Sequence, residues 1–202
     1  MNEEKIKKFL HVGCGKKNIN STPFNNSNWE EIRFDIDPSV NPDVIGTMLE
    51  MNEIKDNSLD AIYSSHNIEH LYPHEVIIAL KEFKKKLKPS GFTLITCPDL
   101  KSVCSEVAQD KLLEPLYKSL SGESISPIDI IYGHRKYIKQ GNVFMAHKCG
   151  FTQKALISVL HQSGFIQVIS KTRPLEFDIW ALASCKEWDS EKIKSTAKKL
   201  FP

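Results

Sequence analysis

The chain predicts an α/β fold: a mostly parallel sheet covered by helices on both faces and finished by an antiparallel edge. Three observations predict it. Short apolar runs at 7–12, 59–65 and 91–98 stop at turn residues, amphipathic stripes alternate with such runs, and a loop rather than a helix joins the last two.

Each element has its own signal. KKFLHV (7–12) runs into Gly13-Cys14-Gly15, a buried strand breaking into a tight glycine turn. EIRFDID (31–37) alternates Ile32, Phe34 and Ile36 with polar neighbours and stops at Pro38, a second strand with acidic residues at its end. PDVIGTM (42–48) is a weaker third strand, and LDAIYSS (59–65), introduced by the turn-rich KDNS, is a fourth. Val76, Leu80, Phe83 and Leu87 form the stripe of a helix that Pro89 and Gly91 stop, and GFTLITCP (91–98) is a fifth strand. Thr152 is the N-cap of a helix striped by Leu156, Val159 and Leu160 and ended by Gly164. That helix feeds the strand FIQVIS, DIWALASCK (178–186) is the last strand, and the basic tail EKIKSTAKKLFP reads as a helix.

Composition excludes several classes. A chain of 202 residues with 41% hydrophobic and 26% charged residues is ordinary globular material, read as a single domain over 1–202. Its 27 basic and 25 acidic residues leave a net charge of +2, too small for a general polyanion footprint, so nucleic acid is not the favoured partner. The N-terminus mixes both charge signs and no run approaches transmembrane length, so the expected protein is soluble and cytoplasmic, with no membrane partner. Cys14, Cys97, Cys104, Cys149 and Cys185 are widely spaced without a C-x-x-C pair, as reduced thiols are. Residues 99–150 carry the breaker-rich SLSGESISP and YGHRKYIKQGN between the fifth strand and the next helix; such an insertion reads as a lid that binds an acceptor.

Taken together, LHVGCG, RFDIDPS, KDNSLDAIYSSHNIEHL, LKEFKKKLKPSGFTLITCP and FTQKALISVLHQSGF occur in an order that resembles the class I S-adenosylmethionine-dependent methyltransferases. The likeness covers nearly the whole chain outside 99–150 and is nearest to small bacterial members with an LxLGCG opening and an SSHxxEHL segment. It implies a Rossmann-like seven-stranded sheet with an antiparallel last strand and S-adenosylmethionine as cofactor. It also implies that Gly13 and Gly15 lie against the methionine part with His66 beside its end, that Asp35 holds the ribose, that Met48 and Leu49 flank the adenine, and that Cys14, Ile36 and Ser65 are further cofactor contacts. Asp37 is the alternative to Asp35, or only caps the turn at Pro38. The chain departs from the family at His11, where an acidic residue is common, at Lys17 in the third glycine position, and in KKNINSTPFNNSNWE, whose lack of apolar period makes the usual first helix short or absent.

SSHNIEHL has the H-x-x-E-H spacing of a zinc-peptidase motif, but His66 falls at a strand end and Pro73 interrupts the segment just beyond it. The resemblance offers a second metal reading. Small-RNA 2′-O-methyltransferases and some quinone O-methyltransferases bind a divalent ion through an E-x-x-E-H type motif at this strand end; His66, Glu69 and His70 match it, with His134 or His147 to complete the set. No metal is the preferred reading, with Glu69 and His70 structural and hydrogen-bonded at the start of the helix.

The segment 132–152 concentrates Tyr132, His134, Arg135, Tyr137, His147 and Lys148. Methyl transfer from an activated sulfonium needs a positioned nucleophile and, where that nucleophile carries a proton, a base; histidine is the natural one near neutral pH. His147 is the first choice for the base, His134 the second, with His66 a third candidate at the methionine end. Tyr132, Arg135 and Lys148 are expected to bind the acceptor, a small molecule. The alternatives are a metal-assisted RNA-terminus 2′-O-methyltransferase, a nicotinamide-dependent oxidoreductase and a non-catalytic cofactor-binding protein. A monomer or a homodimer both suit the amphipathic tail.

Overall fold

The computed structural model describes residues 6–119 and 122–202. Its strands are β1 (Lys7–Val12), β2 (Trp29–Asp35), β3 (Val44–Ile45), β4 (Leu59–Ser65), β5 (Leu87–Pro98), β6 (Tyr117–Lys118), β7 (Ser124–Ile125), β8 (Gln167–Arg173) and β9 (Asp178–Ser184). Its α-helices are α1 (Pro73–Lys86), α2 (Leu100–Val107), α3 (Pro127–Tyr132), α4 (Arg135–Lys139), α5 (Gln153–Gln162) and α6 (Ser190–Leu200). Seven strands make one sheet in the order β3-β2-β1-β4-β5-β9-β8. Strand β9 runs antiparallel to both its neighbours and the other pairs are parallel.

Side chains alternate across this sheet, and each face has its own core. Leu10, Val12, Ile62, Ile95 and Ile179 meet Val76, Leu80 and Phe83 of α1 and Leu156 and Leu160 of α5. Phe9, Tyr63, Leu94, Trp180 and Leu182 meet Ile193 of α6 together with Trp188 and Phe24. Local signals mark the helix ends as expected: the Thr152 hydroxyl accepts from the Ala155 amide at 3.3 Å, and Gly164 has φ of +92°.

Two boundaries differ from expectation. Strand β2 starts earlier and ends at Asp35, because Asp37 turns its carboxylate onto the Ser39 amide and caps a 3-10 turn at Pro38–Val40. Strand β5 begins at Leu87, ahead of Pro89 and Gly91. Leu87 pairs with Leu59 and Phe92 with Ala61, so the residues between form an irregularity within the strand rather than a turn before it.

No α-helix joins β1 to β2, and the reason lies in β2. Glu31, Arg33 and Asp35 alternate along it, and their side chains satisfy the connection's backbone. Glu31 accepts from the Ile19 amide at 2.7 Å and bonds the buried His11 ring at 2.7 Å, while Arg33 donates to the carbonyls of Gly15 and Lys17 at 2.6 and 3.1 Å. Only a 3-10 turn at Ile19–Ser21 remains, and the fully buried Phe24 fills the place a helix would occupy, stacked on Phe9 at 4.5 Å.

The insertion is a folded excursion. It leaves and returns at one point, where Asp99 bridges Phe151 and the Leu100 amide donates to Phe151 at 2.9 Å; a second bridge, Gly133 to Ala146, closes an inner loop. Between them lie α2, the β6–β7 hairpin, α3 and α4. Among the described residues no helix is long and apolar enough to cross a membrane.

Candidate functional site

Strands β1 and β4 lie side by side at the centre, and from them the strand order runs one way through β2 and the other way through β5. Ligands of open α/β sheets bind at such a switch point, beyond the carboxyl ends of the strands. The glycine turn and SSHNIEHL both stand there.

Gly13 and Gly15 have φ of +64° and +52°, the left-handed region that glycine enters without strain. The amides of Gly13 and Cys14 donate to the Phe34 carbonyl, and Gly15 donates to Asp35 Oδ2 at 2.8 Å. Asp35 Oδ1 accepts from the Asp37 amide at 3.0 Å. Asp35 therefore lies buried against the glycine turn, whereas the Asp37 side chain faces Ser39. Met48 is buried, Leu49 half-buried and Ile36 exposed at the same rim. Sequence reasoning missed two residues here. Arg33 staples the turn from below, and Asn67 covers Gly13 while donating to Met48 Sδ at 3.3 Å.

Beyond Ser65 the chain makes a turn in which His66 has φ of +50°, leading into a 3-10 turn at Ile68–His70. It sets Glu69 inside the protein, 1% exposed, with no hydrogen-bond partner on either carboxylate oxygen. This corrects the expectation that Glu69 is hydrogen-bonded at a helix start, since α1 begins only at Pro73. Half-exposed His66 brings Nδ1 to 3.6 Å from Glu69 Oε1. His70 and His147 each hold a ring nitrogen within 4.8 Å of the Glu69 carboxylate and of each other. His70 Nδ1 lies 3.0 Å from the Ala146 carbonyl and His147 Nδ1 lies 2.7 Å from that of Ile130. A carbonyl only accepts, so both rings carry their proton on Nδ1 and, when neutral, a lone pair on Nε2. The amides of Lys148 and Cys149 donate to the Glu69 carbonyl, clamping the end of the insertion onto this turn.

Burial sets the electrostatics. It pushes the Glu69 carboxyl up, but His66, with His70 and His147 behind it, more than offsets this and holds it below the usual value. Burial lowers the His147 pKa, with Glu69 opposing, and raises the Cys14 and Cys149 thiols to about 11, so both stay protonated near neutral pH.

Other expected residues are spread along the insertion. Tyr132 is exposed, and Lys148 sits with Nζ 4.6 Å over the Tyr72 ring. Arg135 donates from Nε to Asp129 Oδ1 at 2.7 Å and from Nη2 to Asp129 Oδ2 and Ser126 at 3.1 Å, which ties it into the frame of the insertion. His134 packs its ring 4.4 Å from that of Tyr137, with both nitrogens enclosed.

Residues 10–95 match the family described as methyltransferase domain. Among solved structures, the CMeT domain of the citrinin polyketide synthase is 13% identical with a TM-score of 0.61; the match covers 93% of this chain and 48% of that one. This chain thus spans about half the length of that relative. A protein from Pyrococcus horikoshii OT3 is 14% identical with a TM-score of 0.62, over 92% of this chain and 84% of that one. A SAM-dependent methyltransferase from Archaeoglobus fulgidus is 17% identical with a TM-score of 0.59, over 89% and 86%. At these identities the likeness is one of fold. No curated protein matches the chain in sequence.

Proposed function

We propose that the chain is an S-adenosylmethionine-dependent methyltransferase acting on a small-molecule acceptor. The observation that carries this reading is the rim between β1 and β4, where a left-handed glycine turn is held by a buried carboxylate at the end of β2. The methyltransferase-domain match over residues 10–95, which include this rim, supports it. Antiparallel β9 between β5 and β8 weighs against a nicotinamide-dependent oxidoreductase, whose dinucleotide sheet runs parallel in the order 3-2-1-4-5-6.

The residues suit the cofactor on two counts. A Cβ on Gly15 would meet nothing within 4 Å, so the turn opens onto free space. Asp35 accepts one backbone amide on each oxygen and keeps lone pairs for hydroxyl donors. Ile36, Met48 and Leu49 supply an apolar flank for the adenine, and Cys14, Ser65 and His66 the methionine end.

When bound, the cofactor supplies a methyl group already activated on a sulfonium. The chain's own task is to hold the acceptor in line, at roughly 3–3.5 Å, and to take its proton where it has one. His66 is the base in this reading: it is half exposed at the rim, with its Nδ1 3.6 Å from Glu69 Oε1. His147 comes second, because it stands in the cluster with Glu69 and His70 and its Nδ1 bonds the Ile130 carbonyl. Lys148 and Tyr132 present a cation and a phenol to the acceptor, and the insertion covers it.

Calorimetric titration with S-adenosylhomocysteine, beside a nicotinamide dinucleotide, tests the reading. Saturable binding that Asp35→Ala weakens supports it; binding of the dinucleotide alone overturns it.

A further inference from the structure

We propose that Glu69, His70 and His147 form a binding site for a divalent transition-metal ion. Glu69 carries the argument. A buried carboxylate without hydrogen bonds costs several kcal/mol, and such groups are normally paired or bound to a cation. Here neither oxygen accepts a hydrogen bond, His66 Nδ1 stands off at 3.6 Å from Oε1, and ring nitrogens of His70 and His147 lie within 4.8 Å.

The imidazoles are prepared as ligands. Each gives its Nδ1 proton to a backbone carbonyl, Ala146 for His70 and Ile130 for His147, the support that fixes ring orientation in metal-binding histidines. Their rings meet edge to face, 4.8 Å between centroids. The donors come from segments far apart in sequence, yet the amides of Lys148 and Cys149 on the Glu69 carbonyl hold the two together. Bonds of about 2.0–2.1 Å to such ligands would draw these donors closer together.

The donor set selects the ion. Two imidazoles and one carboxylate suit zinc, cobalt, manganese or iron, whereas magnesium and calcium take oxygen ligands. Three protein ligands of this kind leave a position open. Metal binding needs no cofactor, so the inference stands apart from the methyltransferase reading.

The test is titration of the chelator-stripped full chain with Co2+ and Zn2+, with Mg2+ as comparison. Expected are one saturating phase with visible cobalt absorption, displacement by Zn2+ and no competition from Mg2+. Glu69→Gln and His147→Ala should each weaken binding by at least about tenfold, and His161→Ala, whose ring bonds the Phe165 carbonyl on the far side of α5, should leave it unchanged. In the unaltered protein, Co2+ should shift the ring signals of His70 and His147 in NMR spectra. Absence of binding, binding indifferent to both variants, or cobalt that leaves these two rings unshifted would overturn the site. S-adenosylhomocysteine binding to the stripped protein reports separately on the methyltransferase reading.

Discussion

The side chain of Asn67 lies directly over Gly13: a Cβ on the glycine would sit 2.4 Å from the Asn67 Cγ. Gly13→Ala therefore meets two penalties, about 1–2 kcal/mol for a left-handed backbone at φ of +64° and a clash on top. Asn67→Ala should relieve the second and not the first. Urea unfolding of the two single variants and the double variant will show it as a coupling energy; simple additivity would mean that Asn67 swings aside freely.

Asp35 serves the turn and the proposed cofactor together. Asp35→Ala strands the amides of Gly15 and Asp37 and is expected to lower stability by about 1–3 kcal/mol. Asp35→Asn keeps an acceptor oxygen, so it should fold better than the alanine variant yet bind S-adenosylhomocysteine about tenfold more weakly. Calorimetry beside urea unfolding separates the two effects.

His66→Ala should reduce kcat by about 10²–10⁴ with an acceptor that must lose a proton, a larger loss than any weakening of S-adenosylhomocysteine binding. Steady-state kinetics on that acceptor, paired with calorimetry, is the measurement. Full turnover in the variant would remove the base from His66.

Asp129 makes the insertion acid-sensitive. Burial pushes its carboxyl up, but Arg135 and Ser126 outweigh this and hold it well below the usual carboxylate range. The folded value lies below the unfolded one, so the stabilisation is complete above about pH 4 and drains away as pH falls from there through the folded value. Asp129→Asn is expected to cost about 1.5–3 kcal/mol at neutral pH, nearer the lower figure because Arg135 is 52% exposed. Urea unfolding should show the gap from the parent narrowing in acid.

The features legible in the sequence were mostly local. The Thr152 cap and the Gly164 stop depend on residues a few places apart, and the structure has them. Glu31, Arg33 and Asp35 show period-two charge in the sequence, but their work is done on backbone groups of another segment, such as Gly15 and Ile19. The same holds for the cluster. His66, Glu69 and His70 could be read together from one motif, whereas the choice of His147 over His134 to complete the set rests on tertiary bonds, the amides of Lys148 and Cys149 on the Glu69 carbonyl and His70 on that of Ala146. Asn67 went unremarked because an asparagine inside such a motif announces nothing until a glycine is seen beneath it.

The excursion between Asp99 and Phe151 departs and re-enters through neighbouring backbone positions. It is therefore an exchangeable part. A segment of different length and chemistry could be spliced between the same two residues without shifting the register of any strand in the main sheet. Grafts at this junction offer a way to test whether the segment sets what the protein recognises while the sheet beneath remains as it is.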